Sequence, residues 1–451
     1  MNASRLYFVT KKQFLLQRLT EFVHYRYNFY TGDLVIYLDR PNIIQGMKRL
    51  QAYKYELMPN GDQVRAMRRF SGSCRFVYNK ALALQKENRE AGNKFIGYVA
   101  MAAKLPVWKR EAETAWLKET PSQALQHALK DLDKAFKGFF AKRTGFPRFK
   151  KKWNGDSFRY PEPKQIQLDQ SNNRILLPKL GWLRYRNSRQ ALGQVRNVTV
   201  SQSGGKWFIA IQTQREPEQP LPTSTTAIGI DVGIARFATL SDGSYVAPLN
   251  SFKTHQQRLA RCQRRMSRKQ KFGNNWRKAK AKVQKIHTAI ANARKDFLHK
   301  TSTTISQNHA LVSIEDLQVK NMSRSAKGNR KQPGKKVAQK SGLNRSILDQ
   351  GWGEFRRQLE YKAQWNGGIL LAVPPHNTSR TCPCCGYVSK ENRQTQAKFQ
   401  CVDCDYENHA DVVGAINVLE RGYRLLARGE SVQSDRSMKQ EPTEVTQAAF
   451  A

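Results

Sequence analysis

Acidic residues are scarce in this chain of 451 residues. Asp and Glu number 35 against 78 Lys and Arg, a formal net charge of +43. A deficit of that size argues against a basic partner and for a polyanion, since each phosphate neutralised releases counterions. Long apolar runs are also lacking. No stretch reaches the ~18 consecutive apolar residues that a membrane helix needs. The N-terminus, "MNASRLYFVTKKQFLLQRLTEF", shows neither a clean apolar core nor a cleavage site, so no secretory signal is expected. Cysteine is sparse over most of the chain. Of 7, only Cys74 and Cys262 lie outside positions 382–404. A disulfide framework spread through a small secreted domain is thereby excluded, and one tight cluster in a long chain reads as a metal site. The expected setting is the inside of a cell, with bound nucleic acid keeping the chain soluble.

What is present divides the chain into several parts. Residues 1–46 are aromatic-rich without a clear period. They read either as an added strand pair or as an upstream extension of a protein whose working start is Met47, the second being favoured. "MKRLQAYKYELMPNGDQ" from Met47 reads as a strand, a turn and a helix start. From Asp62 to about Lys142 the pattern is helical, with Val64, Met67, Phe70, Cys74 and Val77 recurring on one face. Positions 134–153 interleave 5 Phe and a Trp with 8 Lys or Arg. The rings there suit a core stripe, and the cations suit phosphate contacts. Residues 157–215 alternate as strands, with "NVTVSQSGGKWFIAIQT" a hairpin turning at Ser203–Gly204–Gly205. "EPEQPLPTSTT" is a linker.

A new domain begins at Ala227. "AIGIDVGIARFATLSDGSYV" predicts two strands and a turn. Residues 251–300, with 16 basic residues and one acid, predict a helical hairpin broken near Gly273–Asn275. So charged a hairpin must turn one face to solvent or a polyanion. "ALVSIEDL" is a short buried strand. Positions 320–345, with 9 basic residues and no acid, predict a mobile loop that orders on nucleic acid. "SILDQGWGEFRRQLEYKAQWNGG" predicts one helix, "ILLAVPP" a strand, "ADVVGAINVLERGYRLLA" an amphipathic helix, and the remaining tail disorder.

Cys382, Cys385, Cys401 and Cys404 form C-x2-C, 15 residues, C-x2-C. Two such knuckles close a tetrahedral site of four thiolates, which leaves no open position for substrate, so the expected zinc is structural. Cys384 is a spare thiol that could stand in for Cys385. His376 and His409 are weaker ligand candidates, better suited to hydrogen bonds. Asp403, Asp405 and Glu407 read as solvated acids around the knuckle.

Asp231 lies inside the apolar strand "AIGID", where a carboxylate is costly unless paired or metal-bound. Glu315 closes the strand "LVSIE", and Asp411 opens the last helix. They stand 84 and 96 residues apart, so only folding can unite them. The element order around them, β-β-β, helices, β, helix, β, helix, is that of an RNase H-like α/β fold. There the first strand, the fourth strand and the last helix each bring one carboxylate to a point that binds two divalent metals, expected to be magnesium, for phosphodiester cleavage. Taken singly, each acid has a blander reading. "GIDVG" also occurs in phosphate-binding loops of sugar-kinase-like ATPases, Glu315 could be a strand-end acid, and Asp411 could simply favour its helix terminus. Asp316 rivals Glu315, since only one of two successive strand residues can face Asp231.

From Met47 to about Arg428 the chain resembles the TnpB family of transposon-encoded RNA-guided DNA endonucleases, relatives of type V CRISPR effectors. The resemblance rests on "MKRLQAYKYELMPNGDQ", "AFKGFFAKRTGFPRFKKK", "LPKLGWLRYR", "GIDVGIARFATLSDG", "VSIEDL", the cysteine segment through "HADVVGAINVL", and "KQEPTEVT". It implies Glu315 rather than Asp316 as the middle acid and supports Asp231 and Asp411. It implies a wedge-like β domain (47–61 and 154–222) with a helical recognition insertion (62–153). A RuvC-type nuclease (227–375 and 409–428) with a zinc-ribbon insertion (376–408) and a tail (429–451) would follow. The implied partners are a guide RNA derived from the transposon end and double-stranded target DNA. Arg143, Arg148, Lys150, Lys151, Lys152, Arg264 and Arg265 are the expected nucleic-acid contacts. A transposase acting on transposon ends without a guide, or an RNA-binding regulator with a decayed nuclease, are the alternatives.

Overall fold

In "YKYEL" apolar and charged side chains alternate, and the segment Arg49–Met58 is a strand that buries Tyr53, Tyr55 and Leu57 on one face. Asn60 then ends the extended run. Its side chain accepts from the Gln63 backbone N–H while the Gln63 side chain accepts from the Asn60 N–H, a capping box that starts a 30-residue helix. The computed structural model describes residues 24–27, 34–37, 49–152, 155–216 and 224–427. Most of the 1–46 segment, Trp153, most of the expected linker and the tail lie outside these.

His24–Tyr27 (β1) and Leu34–Tyr37 (β2) form an antiparallel pair. The remaining chain makes two compact units divided near residue 217. The first holds Arg49–Met58 (β3) and the helices Gly61–Glu90 (α1), Tyr98–Arg110 (α2) and Ser122–Phe140 (α3), with a 3-10 helix at Ala112–Glu119 before α3. Strands follow at Ser157–Tyr160 (β4), Gln167–Asp169 (β5), Arg174–Leu177 (β6), Gly181–Tyr185 (β7), Gln194–Ser203 (β8) and Lys206–Arg215 (β9). They join in one sheet of order β4-β8-β9-β3-β7-β6-β5. Met67, Phe70, Cys74 and Val77 of α1 are buried in its core, together with Phe136 of α3. The rings of the basic segment largely pack on one another: Phe136 meets Phe146 edge-on at 5.6 Å and Phe139 meets Phe146 at 5.3 Å. Phe149 stays exposed under the ammonium of Lys86.

The second unit is built on a five-stranded sheet. Ala227–Asp231 (β10), Ala238–Leu240 (β11) and Tyr245–Val246 (β12) run as an antiparallel meander. These are the three strands of the β-β-β order, one more than the two read from the segment alone, separated by the bend at 232–237 and the Asp242–Gly243 turn. Helices Ser251–Ser267 (α4) and Asn274–Asn308 (α5) make the basic hairpin, with an apolar seam of Leu259, Val283, Ile286 and Ile290. Leu311–Glu315 (β13) returns parallel to β10, and Ile369–Val373 (β14) lies parallel to β13. The order β12-β11-β10-β13-β14 follows.

Between β13 and β14 lie a short helix at Val319–Met322 (α6), then Val337–Gln350 (α7) and Trp352–Trp365 (α8). Two expectations change here. The segment 320–345 is not all loop, since α7 begins at Val337. The single helix expected from Ser346 is broken at Gly351, whose φ of +76° turns the chain in a left-handed conformation that glycine adopts without penalty. Lys398–Gln400 (β15) and Glu407–His409 (β16) pair antiparallel in the cysteine segment, and Ala410–Ala427 (α9) closes the chain against β10, β13 and β14. Among the described residues no helix is long and apolar enough to cross a membrane.

Candidate active site

Strand register sets the first two acids. In the parallel β10–β13 pair Ile230 stands opposite Ile314, so the next residues, Asp231 and Glu315, end neighbouring strands at the same edge. The third comes from α9, which crosses this edge very closely. A Cβ on Gly229 would fall 2.1 Å from the Ala415 carbonyl, and one on Gly414 would fall 2.9 Å from Asp231 Oδ2. Glycine inside a helix costs about 1 kcal/mol relative to alanine. Here it lets the carboxylate of Asp231 lie against the helix backbone one turn beyond Asp411, whose position in the first turn puts it on the same face.

The electrostatics record the convergence. Burial, then the negative charges of Glu315 and Asp411, push the Asp231 carboxyl up to about 8, with Arg393 opposing. Asp231 keeps a narrow opening to solvent although atoms surround it densely. Burial also raises Glu315, opposed by the Thr378 hydroxyl, which donates to Glu315 Oε1 at 2.6 Å, and by the charge of Arg421. Asp411 Oδ1 lies 3.5 Å from the Arg393 guanidinium, and its backbone N–H donates to His409 Nδ1. Asp316 points elsewhere: it pairs with Arg356, and its side chain is 44% exposed.

Hard oxygen donors around a space that disfavours a second and third negative charge fit magnesium-like divalent cations. The three carboxylates are not drawn into one tight group.

The four thiols do form such a group, their sulfurs within 4.8 Å of one another. Cys382 and Cys404 are 3.6 Å apart, as are Cys385 and Cys401. A tetrahedral site with metal–sulfur bonds of ~2.3 Å has edges of ~3.8 Å, so the set fits zinc. Both knuckles use one backbone pattern. Cys382 N–H donates to the Tyr387 carbonyl and Gly386 N–H to the Cys382 carbonyl; Cys401 N–H donates to Tyr406 and Asp405 N–H to Cys401. The turn residues Gly386 and Asp405 both have positive φ. Cys384 is exposed and outside the group, His376 hydrogen-bonds Asn377, and His409 serves Asp411. Asp403, Asp405 and Glu407 are exposed.

Sequence reasoning did not find Arg393, Thr378, Arg421 or the fully buried Asn392. The Asn392 amide donates to the Arg380 and Tyr387 carbonyls and accepts from Val402 N–H, stitching the knuckles beside Arg393. Asn417 of α9 likewise donates to the Thr378 and Thr381 carbonyls. Gly414 carried one signal, an isolated glycine within an amphipathic helical pattern. The expected nucleic-acid contacts lie on separate units. Arg143, Arg148, Lys151 and Lys152 are exposed in one, and Arg264 and Arg265 are exposed on α4 in the other. Lys150 is partly engaged, 4.2 Å over the Tyr78 ring and 4.0 Å from Asp131.

A five-stranded mixed sheet, three acids at its edge and a four-thiol knuckle make up the candidate site. The chain belongs to the TnpB family. A relative in Escherichia coli (strain K12), named "Putative RNA-guided DNA endonuclease InsQ", is 59% identical over 402 residues, covering 89% of this chain and 100% of its own. A Streptomyces pristinaespiralis protein named "Putative RNA-guided DNA endonuclease" is 33% identical over 90% of this chain and 98% of its own. Residues 198–326 match the family described as "Probable transposase", 352–418 a Cas12f1-like TNB domain and 47–94 a "Helix-turn-helix domain". In this chain 47–94 holds β3 and one uninterrupted helix, α1, rather than two helices about a turn. A solved Cas12f1–sgRNA–target DNA complex overlaps 82% of this chain and 99% of its own, at 15% identity and a TM-score of 0.30, a likeness too loose to bear on the geometry.

Proposed function

We propose that this chain is a transposon-encoded, RNA-guided, divalent-metal-dependent DNA endonuclease. It would cut double-stranded target DNA beside a short flanking motif. The observation that carries the proposal is the convergence of Asp231, Glu315 and Asp411 at one sheet edge, with burial and mutual repulsion raising Asp231 to about 8. Divalent ions held there would activate the attacking water and stabilise the leaving oxygen. The chain's own groups prepare the place. Thr378 fixes one Glu315 oxygen by hydrogen bond, Gly414 leaves room for Asp231, and Arg393 bears on Asp411. The four thiols would hold a structural zinc that keeps 376–408 folded beside the site.

Residues 227–375 and 409–428 act as a RuvC-type nuclease, 47–61 and 154–222 as a wedge-like domain, and 62–153 as a recognition segment. Sequence readout would come from guide pairing, with the protein reading duplex shape and the flanking motif. The names of the two relatives support this reading. The family description of a transposase favours a second one, strand transfer at transposon ends without a guide.

The test is cleavage by the purified complex with magnesium, with and without prior ribonuclease. The nuclease reading expects loss of cutting after ribonuclease, and expects Asp411→Ala to abolish cutting while RNA binding persists. Cutting that survives ribonuclease would support the transposase, and full-rate cutting by Asp411→Ala would refute the carboxylate assignment.

A further inference from the structure

The tip of the α4–α5 hairpin carries a feature that neither packing nor charge alone explains. Phe272 is 64% exposed, more than any other aromatic side chain among the described residues. Its φ is +72°, a left-handed conformation that a bulky residue adopts only against steric resistance. The turn would suit asparagine or glycine better on both counts. Trp276, on the first turn of α5, meets Phe272 edge-on at 5.4 Å. Lys271 lies 5.3 Å from the Phe272 ring centre and Lys280 lies 5.1 Å from that of Trp276. The hairpin's own apolar seam is formed by other residues, Leu259, Val283, Ile286 and Ile290. That seam fixes the two helices together and leaves Phe272 exposed and Trp276 half-buried at the tip. Arg268, Lys269, Arg277 and Lys278 lie within four positions of one of these rings in sequence, and no acid occurs between 251 and 295.

A flat apolar ring ringed by cations fits a nucleobase whose flanking phosphates meet the lysines. A stacked duplex offers no free base face along its length, so the partner is an unpaired or terminal base. We propose that the Phe272–Trp276 tip is a stacking platform for an unpaired nucleobase of single-stranded nucleic acid. This deepens the nuclease reading, in which such strands arise, but its test is independent of cleavage.

The test measures binding of full-length protein, with no magnesium and no guide added, to short fluorescent oligonucleotides of deoxy and ribo chemistry. A blunt duplex and a single strand carrying one 2-aminopurine complete the set. Base–aromatic stacking predicts that Phe272→Ala weakens single-strand binding roughly 5- to 100-fold. It should leave duplex binding and the salt dependence as they were, because no charge is removed. The 2-aminopurine quenching should disappear, and Phe272→Tyr should restore both. Lys271→Ala should instead weaken both substrates and lower the salt slope by about 1. The deoxy and ribo arms show which strand the tip holds. Equal single-strand affinity for wild type and Phe272→Ala in both chemistries would overturn the proposal. So would an effect of Phe272→Ala on sedimentation alone, which would make the tip a self-association surface. Failure of cleavage with this binding pattern intact would instead count against the nuclease reading.

Discussion

Replacing Asp231 by Asn keeps the shape of the neutral carboxyl and removes its ionisation, and the consequences for stability can be worked out. The Asp231 carboxyl sits at about 8 in the folded chain against 3.8 for a free one, through burial and the charges of Glu315 and Asp411. Between these values the folded chain keeps a proton that the unfolded chain has released. Stability is therefore full below the unfolded value and is lost as pH climbs toward about 8. At about 1.4 kcal/mol per pH unit the ceiling is about 6 kcal/mol. Asp231 and Glu315 are coupled, and Asp231 has a narrow opening to solvent, which together reduce the expected loss to about 2–4 kcal/mol. Urea unfolding without added divalent cation, from acidic to alkaline pH, follows the transition of the nuclease unit. Wild type should lose that stability with rising pH. Asp231→Asn should lose much less and be the more stable protein above about pH 8. The raised Glu315 leaves a smaller residual slope. Parallel pH profiles for the two proteins, or a variant less stable at alkaline pH, would refute this electrostatic reading.

Three further outcomes follow from the same geometry. Gly414→Ala should hold stability within about 1 kcal/mol, because helix propensity improves. Its new Cβ, 2.9 Å from Asp231 Oδ2, should displace that carboxylate. A shift of that kind predicts a cleavage rate roughly 10- to 100-fold lower with RNA binding unchanged, read by cleavage kinetics and a melting curve. Glu315→Gln should abolish cutting, whereas Asp316→Ala, which loses a partly exposed pair with Arg356, should cost under about 1 kcal/mol and still cut. Metal analysis should find about one zinc per chain, falling sharply in Cys401→Ser together with thermal stability; equal stability with and without a chelator would count against it.

The sequence made the order of elements legible because each acid sits at a change of pattern. Asp231 interrupts an apolar strand, Glu315 ends one, and Asp411 opens an amphipathic helix. The spacing of the four cysteines was equally readable, since two-residue knuckles leave little freedom. Choosing Glu315 over Asp316 was not a matter of period: it came from the family resemblance, with which the register of β10 on β13 and the pairing of Asp316 with Arg356 agree. Arg393 and Thr378 were invisible for a related reason. Each reaches the site from an irregular stretch of the cysteine segment, where no periodicity says which way a side chain points. The break at Gly351 was missed because a glycine inside a helical pattern reads the same whether it is tolerated or turns the chain. Its left-handed φ, packed 3.2 Å from Leu298 Cδ1 by its would-be Cβ, decides that locally. The third strand of the meander, only Tyr245–Val246, is too short to show an alternation.

The most direct test of the central claim is to change the guide. Protein co-expressed with its transposon-end RNA is purified, and the guide portion is replaced by one matching a new site on a plasmid. With magnesium present, the cut should move to the new match beside the same flanking motif and vanish in Asp411→Ala. A cut that stays at its original position whatever the guide says would contradict the account.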